Sequence, residues 1–331
     1  YAILTLVFIV AEAIVETLIP FITANLINEI KAGAGMNVIL RYGGLLVVMA
    51  VLALTCGGIA GFTCAKASSG FSKNLRQDIF EKIMTYSFSN VDKFSSSSLV
   101  TRMTTDVANV QMSFMMIIRT AIRSPLMLVF SVVMAYVMGG PLSTAFVVVI
   151  PVLAFGLWMI GRKAMPAFRA VFKKYDRLNE SIEENVRGMR VVKGFSREEY
   201  EKEKFGAGAE NIRRDFTRAE RIVALNTPLM QLCMYTCILL ISWIGAKAVI
   251  ASGNNPDLGL TTGMLMSLIT YSMQILMSVM MLSFIFVMII ISRESAERIC
   301  EVLAEESNLK NNENPVFEVP DGSIRFENVK F

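Results

Sequence analysis

The sequence predicts an all-α membrane protein with six long transmembrane helices and two cytoplasmic helical hairpins. Composition, charge-free runs and the placement of Lys and Arg carry that prediction. Of 331 residues, 54% are hydrophobic and 18% charged, and mean hydropathy is +0.52. Soluble domains carry about 45–50% apolar and about 25% charged residues, so both figures lean toward lipid and exclude a disordered chain. Five Cys, odd in number and mostly inside apolar runs, exclude a disulfide scaffold. The absence of His excludes His-based triads and His metal sites.

The first 28 residues are apolar apart from Glu12 and Glu16 and form the first span, about 2–28. The stretch is too long for a signal peptide and lacks a basic start. Charge-free runs of 24, 38, 25 and 35 residues follow at 42–65, 124–161, 222–246 and 258–292. A helix needs roughly 20 apolar residues to cross the hydrocarbon core, so the 38-residue run holds two crossings, divided at Gly139-Gly140-Pro141. The remaining spans are thus about 40–66, 122–138, 142–162, 222–250 and 261–291. Segments 66–123, 162–221 and 293–331 hold 8, 16 and 5 of the 32 Lys and Arg. The positive-inside rule makes these cytoplasmic, with both termini inside a plasma membrane and short outer loops at 29–41, 139–141 and 251–260.

The two cytoplasmic segments read as hairpins. Phe71, Leu75, Ile79 and Ile83 recur every fourth position and extend the second span as one helix over 42–88. The chain then turns through Asn90, Val91, Asp92, Lys93 and Phe94 and the Ser95–Ser98 run. It returns from Leu99, with Arg102 and Asp106 spaced as a helix-stabilising pair. In the second hairpin a helix descends from Arg162, with Pro166 as a kink. It turns near Gly188 to Gly194, and a second helix climbs from Glu198 to Glu220. Two matched hairpins are better explained as levers on a cytoplasmic partner than as a featureless solvated coiled coil.

Three patterns in order resemble the membrane domain of ABC exporters with six helices per half. Asp92-Lys93-Phe94 with Ser98-Leu99-Val100-Thr101-Arg102 resembles the segment around the first coupling helix. Glu183-Glu184-Asn185 with Gly188-Met189-Arg190-Val191-Val192-Lys193-Gly194-Phe195 resembles the second. Gly322 to Phe331 resembles the first strand of a nucleotide-binding domain, after a hydrophilic linker over 307–321. The resemblance implies a domain-swapped dimer in which helices four and five cross to the partner. It also implies an ATP-hydrolysing translocase as the full protein, with ATP and Mg bound by a nucleotide-binding domain. The Ser-Leu-Val-Thr-Arg wording is closer to heterodimeric bacterial multidrug exporters than to homodimeric ones. These 331 residues contain no G-x-x-x-x-G-K-[ST] cradle, so no catalytic or cofactor residue is expected in them. With Tyr1 first and no such domain, the chain is expected to be a fragment. Val91, Asp92, Lys93, Phe94, Gly188, Met189, Arg190 and Phe195 are the expected contacts with nucleotide-binding domains.

Within the spans, Glu12 and Glu16 share one helix face, where a charge costs at least about 2.5 kcal/mol on insertion scales. Arg119 and Arg123 are candidate partners: Glu12 stands 16 residues before Asn28, and Arg123 stands 16 before Gly139. That places both about 24 Å beneath the outer face. The carboxylates either form a bundle ion pair or line a cavity for cationic substrates. Met273, Met277, Met280 and Phe284 follow helical spacing on the sixth span. The resemblance makes them, with Gln274, cavity candidates for amphipathic drug- or lipid-like substrates. Cys56, Cys64, Cys233 and Cys237 read as small packing residues. Alternatives are an exporter of peptides or a specific metabolite, or a channel or receptor with a helical stalk. No nucleic acid is expected as a partner, because 29 basic residues interleave with 24 acidic ones on the inner side.

Overall fold

A charge-free run without Pro gives nothing to stop a helix, and in the computed structural model the second helix, α2 (Met36–Met84), runs 49 residues. The structure describes residues 1–307, 318 and 321–327, apart from the side chains of Asp176 and Ile291. The other long helices are α1 (Ala2–Lys31), α5 (Val107–Gly139), α6 (Thr144–Arg187), α8 (Glu198–Ala224), α9 (Asn226–Ser252) and α10 (Thr262–Ala304). The short helices α3 (Phe88–Phe94), α4 (Ser96–Thr101) and α7 (Met189–Gly194) stand at the hairpin turns.

Five helical stretches among the described residues are long and apolar enough to cross a membrane: Ala2–Lys31, Met36–Met84, Ser96–Arg187, Glu198–Ser252 and Thr262–Ala304. The third, of 92 residues, contains the expected break. Gly140 takes a positive φ of 49°, and one 3-10 turn over Gly140–Ser143 separates α5 from α6.

Several boundaries differ from the sequence reading. The expected outer loop 29–41 shrinks to 32–35, because helix propensity continues to Lys31 and resumes at Met36. The helix expected over 42–88 ends at Met84. Of the expected turns, 90–94 and 189–194 are helical, with Gly188 dividing α6 from α7 and Ser95 at φ 57° dividing α3 from α4. Helix α6 continues through Pro166. Of the expected linker 307–321 and strand 322–331, residues 308–317, 319, 320 and 328–331 lie outside the described residues. Residues 322–327 carry no regular secondary structure.

The chain divides into two compact units. The first comprises Tyr1–Lys66 and Met115–Met288. Its core gathers Ala24, Phe146, Leu153, Cys237, Ile241 and Tyr271 from α1, α6, α9 and α10. Pro20 lacks an N–H and loosens its turn of α1. Helix α10 supplies donors there: Tyr271 Oη donates to the Thr17 carbonyl at 2.8 Å, and Ser267 Oγ to the Pro20 carbonyl at 2.5 Å. A β-carbon at Gly263 would stand 2.1 Å from the Ala24 carbonyl oxygen, so only glycine permits this approach of α10 to α1. The second unit comprises Ala67–Phe114 and Ile289–Phe331. In it Ile79, Leu99, Val107, Ile299 and Val302 are buried together, with Leu75 and Ile83 against them. The expected stripe Leu75, Ile79, Ile83 is therefore its core face, and Phe71 stacks on Phe114 at 4.6 Å.

Candidate functional site

Glu12 and Glu16, one turn apart on α1, meet a single cation from α5. Arg123 Nη2 stands 2.5 Å from Glu16 Oε2 and 3.4 Å from Glu12 Oε1. The Glu12 side chain is 10% exposed, while Glu16 and Arg123 keep 29% and 37%. Glu12 Oε2 and Arg123 Nε are buried without a hydrogen-bond partner among the described residues. A β-carbon at Gly57 of α2 would stand 3.0 Å from Glu12 Oε1, so the glycine makes room for the carboxylate. Arg119, the other expected partner, is exposed and forms no ion pair among the described residues. Its Nη1 lies 3.5 Å from where a Gly61 β-carbon would be. One guanidinium, that of Arg123, is shared directly by two carboxylates, and the Arg119 charge acts on Glu12 without a direct contact, on a face that is partly open.

Hydrogen bonds set the register of the neighbouring helices. Thr17 lies level with Met127 (Oγ1 to Sδ 3.9 Å) and with Tyr271. Ser131 Oγ donates to Gln274 Oε1 at 3.0 Å. Gln274 is therefore engaged between helices, a contact worth on average about 0.6 kcal/mol in membranes. Met273, Met277 and Phe284 are exposed and Met280 is half-buried. These bonds set Tyr271 and Gln274 of α10 against α1 and α5, while Met273, Met277 and Phe284 occupy exposed positions of α10.

The expected coupling residues divide. Asp92 and Lys93 are exposed on α3, and Val91 and Phe94 are half-buried. Phe94 stacks on Tyr86 at 5.9 Å and lies under the Arg102 guanidinium at 4.9 Å. On the second hairpin, Gly188 is half-buried and Met189, Arg190 and Phe195 are exposed, Phe195 by 75%. Beside them, Ile182, Val186, Met189, Val192 and Phe205 line a groove of about 320 Å³.

Residues 2–280 match the family model of the ABC transporter transmembrane region. The chain belongs to that family. It is similar to the uncharacterised ABC transporter ATP-binding protein YfiB of Bacillus subtilis, 29% identical over 328 residues, or 99% of this chain and 56% of that protein. It is also similar to the uncharacterised ABC transporter ATP-binding protein Rv1273c of Mycobacterium tuberculosis, 28% identical over 299 residues, 90% of this chain and 50% of that protein. A third relative, the uncharacterised ABC transporter ATP-binding protein YknU of Bacillus subtilis, is 26% identical over 256 residues, 77% and 43% respectively. The chain spans about half the length of the curated relatives it matches.

In this ABC transporter membrane region the sequence reading missed Gly57, whose signal was only a small-residue run from Gly57 to Gly61. It also paired Arg102 with Asp106, and that pairing is corrected. The two residues lie in a π turn (Arg102–Asp106), and both reach α10: Arg102 Nη2 stands 3.0 Å from Glu301 Oε2, and Asp106 takes both Arg298 Nε and Nη2 at 2.8 and 2.5 Å. The hydrogen bond from Arg298 holds the Asp106 carboxyl below its usual range.

Proposed function

We propose that the chain is the membrane half of an ATP-driven exporter that moves amphipathic, drug- or lipid-like substrates out of the cytoplasm by alternating access. ATP and Mg bind a nucleotide-binding domain of the full-length protein. A second half-transporter completes the dimer, with a heterodimer favoured over a homodimer. The hairpins and both termini face the cytoplasm, following the Lys and Arg bias. The observation that carries the reading is the second hairpin: a helix pair ending in an exposed apolar tip, with Val191 62% and Phe195 75% exposed. A stalk has no use for such a tip, whereas a lever docking on an ATPase needs one.

Within this reading Glu12 and Glu16 form the cation-binding, anionic part of a substrate cavity that Met273, Gln274, Met277, Met280 and Phe284 also line. The test is ATP-driven uptake of ethidium, against a neutral dye, into inside-out vesicles holding the full-length protein. A charge-assisted hydrogen bond to a desolvated carboxylate contributes about 1–3 kcal/mol, roughly five- to a hundredfold in affinity. Glu16→Gln should therefore weaken ethidium uptake by that factor and spare the neutral dye. Equal loss of both dyes, with recovery when Arg123→Gln is added, would make the cluster a bundle ion pair instead.

A further inference from the structure

We infer that the first hairpin and the C-terminal stretch of α10 form one lever, in which Asp106 and Arg298 are the positioning residues that set where α3 stands. The inference rests on the reading of α3 as a contact of the ATPase. Successive turns of one α10 face each hold the hairpin. Ser295 Oγ accepts from Asn109 Nδ2 at 3.1 Å. Arg298 grips Asp106 with two nitrogens, and its own carbonyl accepts from Arg102. The Val302 carbonyl accepts from Tyr86 Oη at 2.6 Å. Glu305 accepts from Asn90 Nδ2 at 3.0 Å and Lys93 Nζ at 2.7 Å, which ties the residue just past the end of α10 to α3 itself.

Two features make this a single body rather than a sliding contact. A π turn is an uncommon departure from the α-helix, often found at functional sites. Here the two residues at its ends, Arg102 and Asp106, are 9% and 1% exposed and both anchored on α10. Separating the elements would leave the buried Asp106 carboxylate without its guanidinium, and breaking a buried charge pair from one side is strongly unfavourable. Ile299 and Val302 from α10 also share the apolar core with Ile79, Leu99 and Val107. A displacement of the α10 end is therefore delivered to α3 without an intervening joint.

The test uses the full-length protein with Cys56, Cys64, Cys233, Cys237 and Cys300 replaced by Ser and a new pair, Asn109→Cys with Ser295→Cys. Oxidation should cross-link the pair equally, within about twofold, without nucleotide and after trapping with Mg-ATP and vanadate. The cross-linked protein should keep its ATP hydrolysis within the same factor. A yield that changes about tenfold between the two states, or hydrolysis lost on oxidation and restored by dithiothreitol, would overturn the single lever. Without oxidation, Asp106→Asn should lower ethidium transported per ATP at least about fivefold, the scale of a site-to-site coupling. The exchange Asp106→Arg with Arg298→Asp should recover it. Unchanged transport per ATP in Asp106→Asn would reduce the pair to packing. If the parent protein hydrolyses no ATP, the exporter reading itself fails, an outcome separate from these.

Discussion

In the first hairpin two charged residues, Arg102 and Asp106, are buried and reach α10, whereas the ion pairs of the second lie on its surface. Asp106 is 1% exposed and held by two nitrogens of Arg298. Glu210 of α8 takes Arg213 and Arg214 at positions i+3 and i+4, and those hydrogen bonds bring its carboxyl down to about 2. Glu183 with Arg187 and Glu199 with Lys202 repeat that local pattern. Across the second hairpin, α6 and α8 are joined by the Lys174–Asp215 ion pair and the Phe168–Phe216 edge contact at 5.9 Å. Surface pairs support a helix but are screened by solvent and salt. A buried pair fixes a position. On the reading proposed above, the first hairpin transmits a displacement and the exposed tip of the second receives a partner.

The largest expected contrast lies between the two aromatic residues at the turns. Phe195→Asp should leave the protein folded and bound to ATP while removing ethidium stimulation of hydrolysis, because the ring has no packing role at 75% exposure. Phe94→Asp should instead disorder α3, since its ring is stacked on Tyr86 and covered by Arg102. Limited proteolysis between 84 and 96, with the hydrolysis assay, separates the two. Cleavage unchanged in Phe94→Asp would make both rings docking groups and erase the contrast.

A smaller contrast comes from the charges. Asp106→Asn should cost about 2 kcal/mol locally, less than the 3–5 typical of fully buried pairs because Arg298 keeps 44% side-chain exposure. Amide exchange over 102–110 should then quicken about thirtyfold. Glu210→Gln should leave exchange in α8 nearly unchanged. The pH dependence has the same origin. Asp106 is depressed in the folded chain, so its contribution is complete above the unfolded carboxyl value of about 3.9 and is lost as pH falls through the lower folded one. Protection factors over 102–110, which refer each rate to the intrinsic amide rate at that pH, should therefore stay constant from pH 7 to about pH 5. A fall in protection within that range would show that Asp106 is not held by Arg298.

Much of this architecture is legible in the sequence because lipid imposes long charge-free runs and a Gly-Gly-Pro break is a local event. Depth offered both Arg119 and Arg123 as partners of Glu12 and Glu16, since a charge in hydrocarbon needs a partner at its own level, and the structure pairs Arg123. Helices α3 and α7 were hidden because seven and six residues make fewer than two full periods of apolar spacing. The Arg102–Asp106 reading failed for another reason. A spacing of four satisfies a local rule, while the true partner of Asp106 stands 192 residues away on a segment that reads as a charged tail. Gly57 shows its role only once the Glu12 carboxylate is placed against it.

Hydrogen exchange on the full-length protein, compared without nucleotide and with Mg-ATP and vanadate, tests the division between the hairpins most directly. Residues 186–200 should gain protection as their apolar tip is covered in one state and uncovered in the other. Amides over 99–110 and 295–304 should show the same strong protection in both states. Constant exchange at the second tip together with nucleotide-dependent opening over 99–110 would contradict the account.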